Sequence, residues 1–274
     1  MVEYFRPTSI KEAVSLLHSK ENIKLIAGGT EINLKYRDLE YLVDLKNLEL
    51  NYIEEGAGIR IGATTTIGEI EDSEILRNGA YRALHQSAST FTSSVKHLAT
   101  IGGNVAESVA SSDLSPPLIA LDAKAVLTGA YGGRVVPVHK LFMGLRKTIL
   151  DKEIIVEFII PEYRNTSSSF QKVGRTEDDL GMTTLAMRLT IKDDKIEDVG
   201  IGVGLASPNP LKAEKTERYI INKEINEEVI EEAGDILIQE TKPRTSIRAS
   251  KEYRKRLEKV LLRRALMNCL EDLR

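Results

Sequence analysis

Leu25-Ile26-Ala27-Gly28-Gly29-Thr30-Glu31 runs from an apolar, strand-like segment into a glycine pair and then a hydroxyl. Glycine tolerates positive φ and lets the backbone come close to a ligand, so such a turn can aim successive N–H groups at phosphate oxygens. Thr30 can add a donor. The arrangement returns at Ala99-Thr100-Ile101-Gly102-Gly103-Asn104, with Thr100 as the hydroxyl. Two such loops can grip one diphosphate from both sides, although each taken alone also reads as a plain tight turn. Neither has the G-x-G-x-x-G spacing or the lysine of a P-loop. Gly202-x-Gly204-x-x-Ser207 comes nearest to that fingerprint, but beside Pro208 and Pro210 it reads as a strand end and a turn.

Outward from the first loop, the spacing of Ile10, Ala13, Leu16 and Leu17 predicts a helix, with Ser9 placed to accept from the free amides of its first turn. Strands are expected over residues 24–27 and 41–45, with a short helix over 30–37 between them, making residues 1–54 a small βαβ-like lobe. A hairpin is expected with its turn at Glu55-Gly56-Ala57-Gly58. A helix over 81–89 and strands over 125–129, 135–138 and 154–160 make residues 55–164 an α+β lobe. The polar run Arg164-Asn165-Thr166-Ser167-Ser168-Ser169 reads as a break. Beyond it, strands over 170–173, 182–191 and 196–205 and helices over 226–239 and from 250 onward predict a third lobe, residues 165–274.

Among the 274 residues, 42% are hydrophobic and 29% charged, as in ordinary globular chains. A formal net charge of −3 argues against nucleic acid as a partner. No stretch approaches the ~20 apolar residues of a membrane span, and the first residues read as neither a signal nor a transit peptide; a cytoplasmic protein is expected. Cys269 is the single cysteine, so four-thiolate iron–sulfur ligation and a disulfide framework are excluded. His18, His85, His97 and His139 show no metal-ligand spacing. Redox work by this chain would need an organic cofactor.

The two glycine loops resemble the FAD-diphosphate loops of the flavoprotein subunits of molybdenum hydroxylases, the family of xanthine dehydrogenase and carbon monoxide dehydrogenase. Further matches follow in the family's order: Ser111-Ser112-Asp113-Leu114-Ser115-Pro116, Gly144-Leu145-Arg146-Lys147-Thr148-Ile149-Leu150, Phe170-Gln171-Lys172-Val173-Gly174-Arg175 with Asp178-Asp179, and residues 244–254. The resemblance implies an α+β fold: a two-lobed FAD-binding domain of the vanillyl-alcohol-oxidase (PCMH) type, then a smaller α+β lobe like that of the carbon monoxide dehydrogenase flavoprotein. It implies that residues 25–31 and 99–104 line the diphosphate, that Ser112 and Asp113 contact the cofactor, that Lys172 lies near the flavin ring, and that Ile155 packs on it. On sequence alone, Asp113 can instead cap the following helix, Lys172 reads as solvated and Ile155 as core. Glu31 would repel phosphate unless it turned away or met a cation, so its backbone amide is the expected contact.

The resemblance further implies partners: a molybdopterin-containing large subunit and an iron–sulfur small subunit that deliver electrons to FAD, for onward transfer to NAD, a quinone or oxygen. The chain departs from many relatives in carrying Val95-Lys96-His97 before the second loop. Two other readings stand beside this one. A stand-alone FAD oxidoreductase of the same fold needs its own substrate acid, and no matching serine and glutamate arrangement is present. A non-catalytic FAD or nucleotide module needs only the loops.

Overall fold

The computed structural model describes residues 2–32, 39–77, 79–176, 179–192 and 195–273. Most of the helix expected over 30–37 therefore lies outside the described residues, as does Asp178. Strands Glu3–Phe5 (β1), Ile23–Ile26 (β2) and Tyr41–Asp44 (β3) form a parallel sheet in the order β1-β3-β2. The edge strand β1 was not anticipated, since three residues are too few to show a period. Helix Ile10–Ser19 crosses the sheet, with Ser9 Oγ accepting from the Glu12 N–H and Ala13, Val14 and Leu17 buried.

The second sheet is antiparallel, in the order β4-β5-β10-β6-β7, from Ile53–Gly56 (β4), Gly58–Gly62 (β5), Lys124–Gly129 (β6), Gly132–Pro137 (β7) and Ile154–Ile160 (β10). A hairpin of Phe142–Gly144 (β8) and Lys147–Thr148 (β9) interrupts it. The near-continuous apolar run of β10 has a structural cause, because its two faces serve different cores. Ile154 belongs to the core of the first sheet, while Ile155, Phe158 and Ile160 belong to that of the second. A register shift between Ile155 and Glu157 changes the parity, so an odd and an even position reach the same side.

Strands Thr166–Val173 (β11), Thr183–Lys192 (β12), Lys195–Gly204 (β13) and Leu211–Lys212 (β14) form the third sheet, in that order and antiparallel throughout. The serine run is thus not an irregular linker: Thr166 to Ser169 are the first half of β11. Ser167, Ser168 and Ser169 are buried with their hydroxyls paired, to Asp272 at 2.7 Å, from the Ala83 N–H at 2.8 Å and from Gln171 at 2.9 Å. These partners offset most of the cost of burying the hydroxyls.

Strand β12 alternates as a strand covered on both faces should. Leu185, Met187 and Leu189 pack with Leu261, Leu262, Ala265 and Cys269 of the final helix, Lys251–Asp272, whose N-cap is Ser250. Ala186 and Arg188 face the second lobe. There Arg188, fully buried, pairs with Asp122 at 2.9 Å and Asp198 at 2.8 Å and lies 4.5 Å from the Tyr163 ring centroid. Gly202 is part of the same seam: a Cβ there would fall 2.8 Å from the Pro116 carbonyl carbon, so glycine lets helix Ser115–Ala120 lie directly on β13. No helix among the described residues is long and apolar enough to cross a membrane.

Candidate functional site

Strand β2 ends at Ile26, and the chain turns at Gly29, whose φ of +71° suits glycine. At Gly28 the first segment lies directly against the backbone that leads into the second. A Cβ on it would collide with the Leu98 carbonyl oxygen and lie 2.6 Å from the Leu98 carbonyl carbon. The two glycine segments, remote in sequence, are therefore in backbone contact. Among the described residues, no acceptor is found for the N–H groups of Gly28, Gly29, Thr30 or Glu31. Unpaired amides on an exposed turn are the arrangement that can receive an anion.

The second segment is built differently from the expectation. Thr100 caps helix Ile101–Ala106, its hydroxyl accepting from the Gly103 N–H at 3.2 Å. The N–H groups of Ile101 and Gly102 donate to Thr65 O and Ala63 O, and that of Asn104 to Thr100 O. Those amides are spent inside the protein, so this side offers the Thr100 and Asn104 side chains and closely packed glycines, not a row of free donors. Ile101 itself points into the core and is fully buried.

Between the segments lies a cleft of ≈ 320 Å³. Residues 25–31 form one side, and Ala99, Thr100, Gly102, Gly103 and Asn104 the other. Ile155 is at its lining, joined by Ala63, Leu45, Phe91, Val95 and Leu150. An apolar lining with a few polar groups is the usual character of a cofactor cleft. Sequence reasoning missed these last five because apolar residues scattered over a hundred positions look like ordinary core. Two carboxylates besides Glu31 also line the cleft, Glu107 and Glu153. Arg134, at 2.7 Å, holds the Glu153 carboxyl below its ordinary range against the opposing effect of burial.

Ser112, Asp113 and Lys172, like Ile101, do not line this cleft but stand behind it. Lys172 Nζ is 3.1 Å from Asp113 Oδ2, with both side chains nearly buried. Burial pushes the Asp113 carboxyl above its usual range, and the Lys172 ammonium opposes that shift. Asp113 Oδ1 is buried and finds no hydrogen-bond partner among the described residues. Its carboxylate turns to Lys172, and helix Ser115–Ala120 has no side-chain cap, so the capping role does not occur. Lys172 is not solvated, because strand β11 carries it inward to Asp113 and to the Thr90 carbonyl at 3.4 Å. Thr90 precedes Phe91 of the cleft lining, and Ser112 Oγ donates to Asn104 Oδ1 at 2.7 Å. Both contacts tie the buried pair to the cleft wall.

The cleft fits a bound FAD: one flank carries amides without an acceptor among the described residues, and the lining is largely apolar. Comparison with known proteins agrees. Residues 1–163 match the family described as the FAD binding domain in molybdopterin dehydrogenase, and residues 168–269 match the CO dehydrogenase flavoprotein C-terminal domain. The chain is 30% identical to the xanthine dehydrogenase FAD-binding subunit of Escherichia coli, over 96% of this chain and 94% of that one. It is 28% identical to the glyceraldehyde dehydrogenase medium chain of Sulfolobus acidocaldarius, over 96% of each. Among solved structures, a carbon monoxide dehydrogenase from Hydrogenophaga pseudoflava that lacks the Mo-pyranopterin moiety superposes with a TM-score of 0.94 at 28% identity, covering 99% of this chain and 98% of that chain. The fold class expected from the sequence is the one found, and the chain belongs to the FAD-binding medium subunits of the molybdenum hydroxylases.

Proposed function

We propose that residues 25–31 and 99–104 hold the FAD diphosphate between them and that Ile155 packs against the ring. Ser112, Asp113 and Lys172 back the polar end of the cleft from behind its wall, through Asn104 and Thr90. Residues 1–54 and 55–164 are the two FAD-binding lobes, and 165–274 is the C-terminal lobe. When bound, FAD supplies reversible acceptance and release of electrons. The protein's own part is to orient and tune. Gly28 to Glu31 give donors to the phosphates, Thr100 and Asn104 shape the opposite wall, and the ammonium of Lys172 favours negative charge on a reduced ring. No residue need act as an acid or base on a substrate.

In this reading the chain works in the cytoplasm. It receives electrons from iron–sulfur clusters of a small partner subunit, which in turn takes them from a molybdopterin-containing large subunit, and passes them to NAD or another acceptor. The observation that carries the reading is that Gly28 to Glu31 line the cleft with N–H groups that find no acceptor among the described residues. The test is the flavin content of the purified complex with Gly29→Val, where a β-branched residue must adopt φ near +71°. Loss of visible flavin absorbance with a preserved fold is expected. Full flavin content would refute the placement, and a yellow protein that never co-purifies with partner subunits would point to a stand-alone oxidoreductase.

A further inference from the structure

The β8–β9 hairpin brings to the cleft a residue that the reading above leaves without a task. Arg146, at its turn, has φ +55°, a conformation that a residue with a Cβ keeps only where its surroundings impose it. Here they do. The Arg146 N–H donates to Ser108 O at 2.9 Å. Ser108 Oγ contacts the carbonyls of Gly144 at 3.0 Å and Lys147 at 2.9 Å, and Asn209 Nδ2 donates to Gly144 O at 2.8 Å. The turn is thus pinned to the residue that follows Glu107, just past helix Ile101–Ala106.

From this anchored turn the guanidinium pairs with Glu107 and approaches Glu31 Oε2 at 3.8 Å. Glu31 ends the first loop, Glu107 follows the helix of the second segment, and both line the cleft. The Arg146 side chain is 51% exposed and that of Glu107 20%, which places the cluster at the rim. Two carboxylates beside a diphosphate repel it, and one cation shared between them removes much of that repulsion. Glu153, the other carboxylate of the lining, is already paired with Arg134.

We propose that Arg146 is a binding residue for the dinucleotide: it ties the two flanks together across the cleft mouth and neutralises Glu31 and Glu107, so that the diphosphate can enter and stay. This rests on the FAD reading above. The test strips FAD from the complex carrying Arg146→Gln, Arg146→Lys, Glu31→Gln or the triple change Arg146→Gln with Glu31→Gln and Glu107→Gln, and retitrates it at low and high salt. Arg146→Gln is expected to weaken FAD binding by about 10-fold at low salt, less at high salt, with partial recovery in Arg146→Lys. Recovery is also expected in the triple variant. Glu31→Gln, at an exposed position, is expected to tighten binding by about 3-fold and carries the test should Arg146→Gln not fold. Unchanged affinity in both single glutamine variants, or a triple variant as weak as Arg146→Gln at every salt concentration, would overturn the inference. If the unaltered complex takes up no FAD, the underlying reading fails instead.

Discussion

Replacing Gly28 by alanine adds one methyl group at the tightest contact between the two flanks of the cleft. Its Cβ would collide with the Leu98 carbonyl oxygen and lie 2.6 Å from the Leu98 carbonyl carbon and 3.0 Å from Ala99 Cα, against an ordinary contact of 3.4 Å. All three atoms are backbone, so no rotamer relieves the clash, and the flanks must part by at least about 0.8 Å, the difference between 3.4 and 2.6 Å. Overpacking of this kind costs about 1–3 kcal/mol. Because the strain falls on the loop that carries the free amides, the variant has two ways to respond. It can keep its loop and lose stability by about that amount, or let the loop retreat and lose flavin affinity by about 5- to 150-fold, the same energy expressed as binding. Both are measurable on one sample, as the melting temperature of the flavin-free form and the dissociation constant from flavin fluorescence on titration. Gly56→Ala is the control, since a Cβ there meets nothing within 4 Å and its φ is not positive. If Gly28→Ala matched the unaltered protein in both quantities while folding normally, the idea that these segments set the cleft by backbone contact would be refuted.

Two other outcomes follow from buried charge. Lys172→Ala strands the Asp113 carboxylate in a buried site, and breaking such a pair is expected to lower stability by about 3–5 kcal/mol in a denaturant titration, with most of it regained in Lys172→Met combined with Asp113→Leu; a loss under 1 kcal/mol would show that the pair is hydrated in solution. Glu258, with its side chain fully buried and one carboxylate oxygen unpartnered, has its carboxyl pushed by burial from 4.5 up to about 7, the Thr241 hydroxyl opposing the shift. Between those values the folded protein keeps a proton that the unfolded chain has lost, so stability is expected to fall as pH rises from about 4.5 to 7, by about 2–4 kcal/mol. Glu258→Gln should flatten that part of the slope in melting curves taken across the range, and an unchanged slope would assign the effect elsewhere.

Much of the architecture was legible because local patterns and tertiary burial agree. The β-branched run of residues 154–160 is β10, Ser9 caps its helix as the sequence predicts, and the helices expected from 226 and 250 begin directly after Asn226 and Ser250. The serine run misled because a polar stretch reads as a turn until its partners are known. Asp272, the Ala83 amide and Gln171 supply them, from distant parts of the chain in two of the three cases. Both glycine segments were visible, yet identical-looking motifs became unlike structures: Thr100 sits three residues before Gly103 and caps a helix, whereas Thr30 follows its glycines and caps nothing described. Lys172 and Asp113 owe their place to the resemblance alone, since neither carries a local sign of burial. Arg146 lies in a stretch that resembles the family, but its meeting with Glu31 and Glu107 depends on where the β8–β9 hairpin packs, which no periodicity encodes.

Strand β10 has a further consequence for electron flow. Ile154 and Ile155 are joined by one peptide yet anchored in separate interiors, so the lobes share a party wall and cannot scissor apart without uprooting one of the two. If FAD rests against that wall as proposed, a housing held at both faces would limit the rearrangement of neighbouring dipoles that each change of oxidation state requires. A stiff partition of this sort makes a subunit well suited to passing charge along and ill suited to reshaping itself around successive reactants.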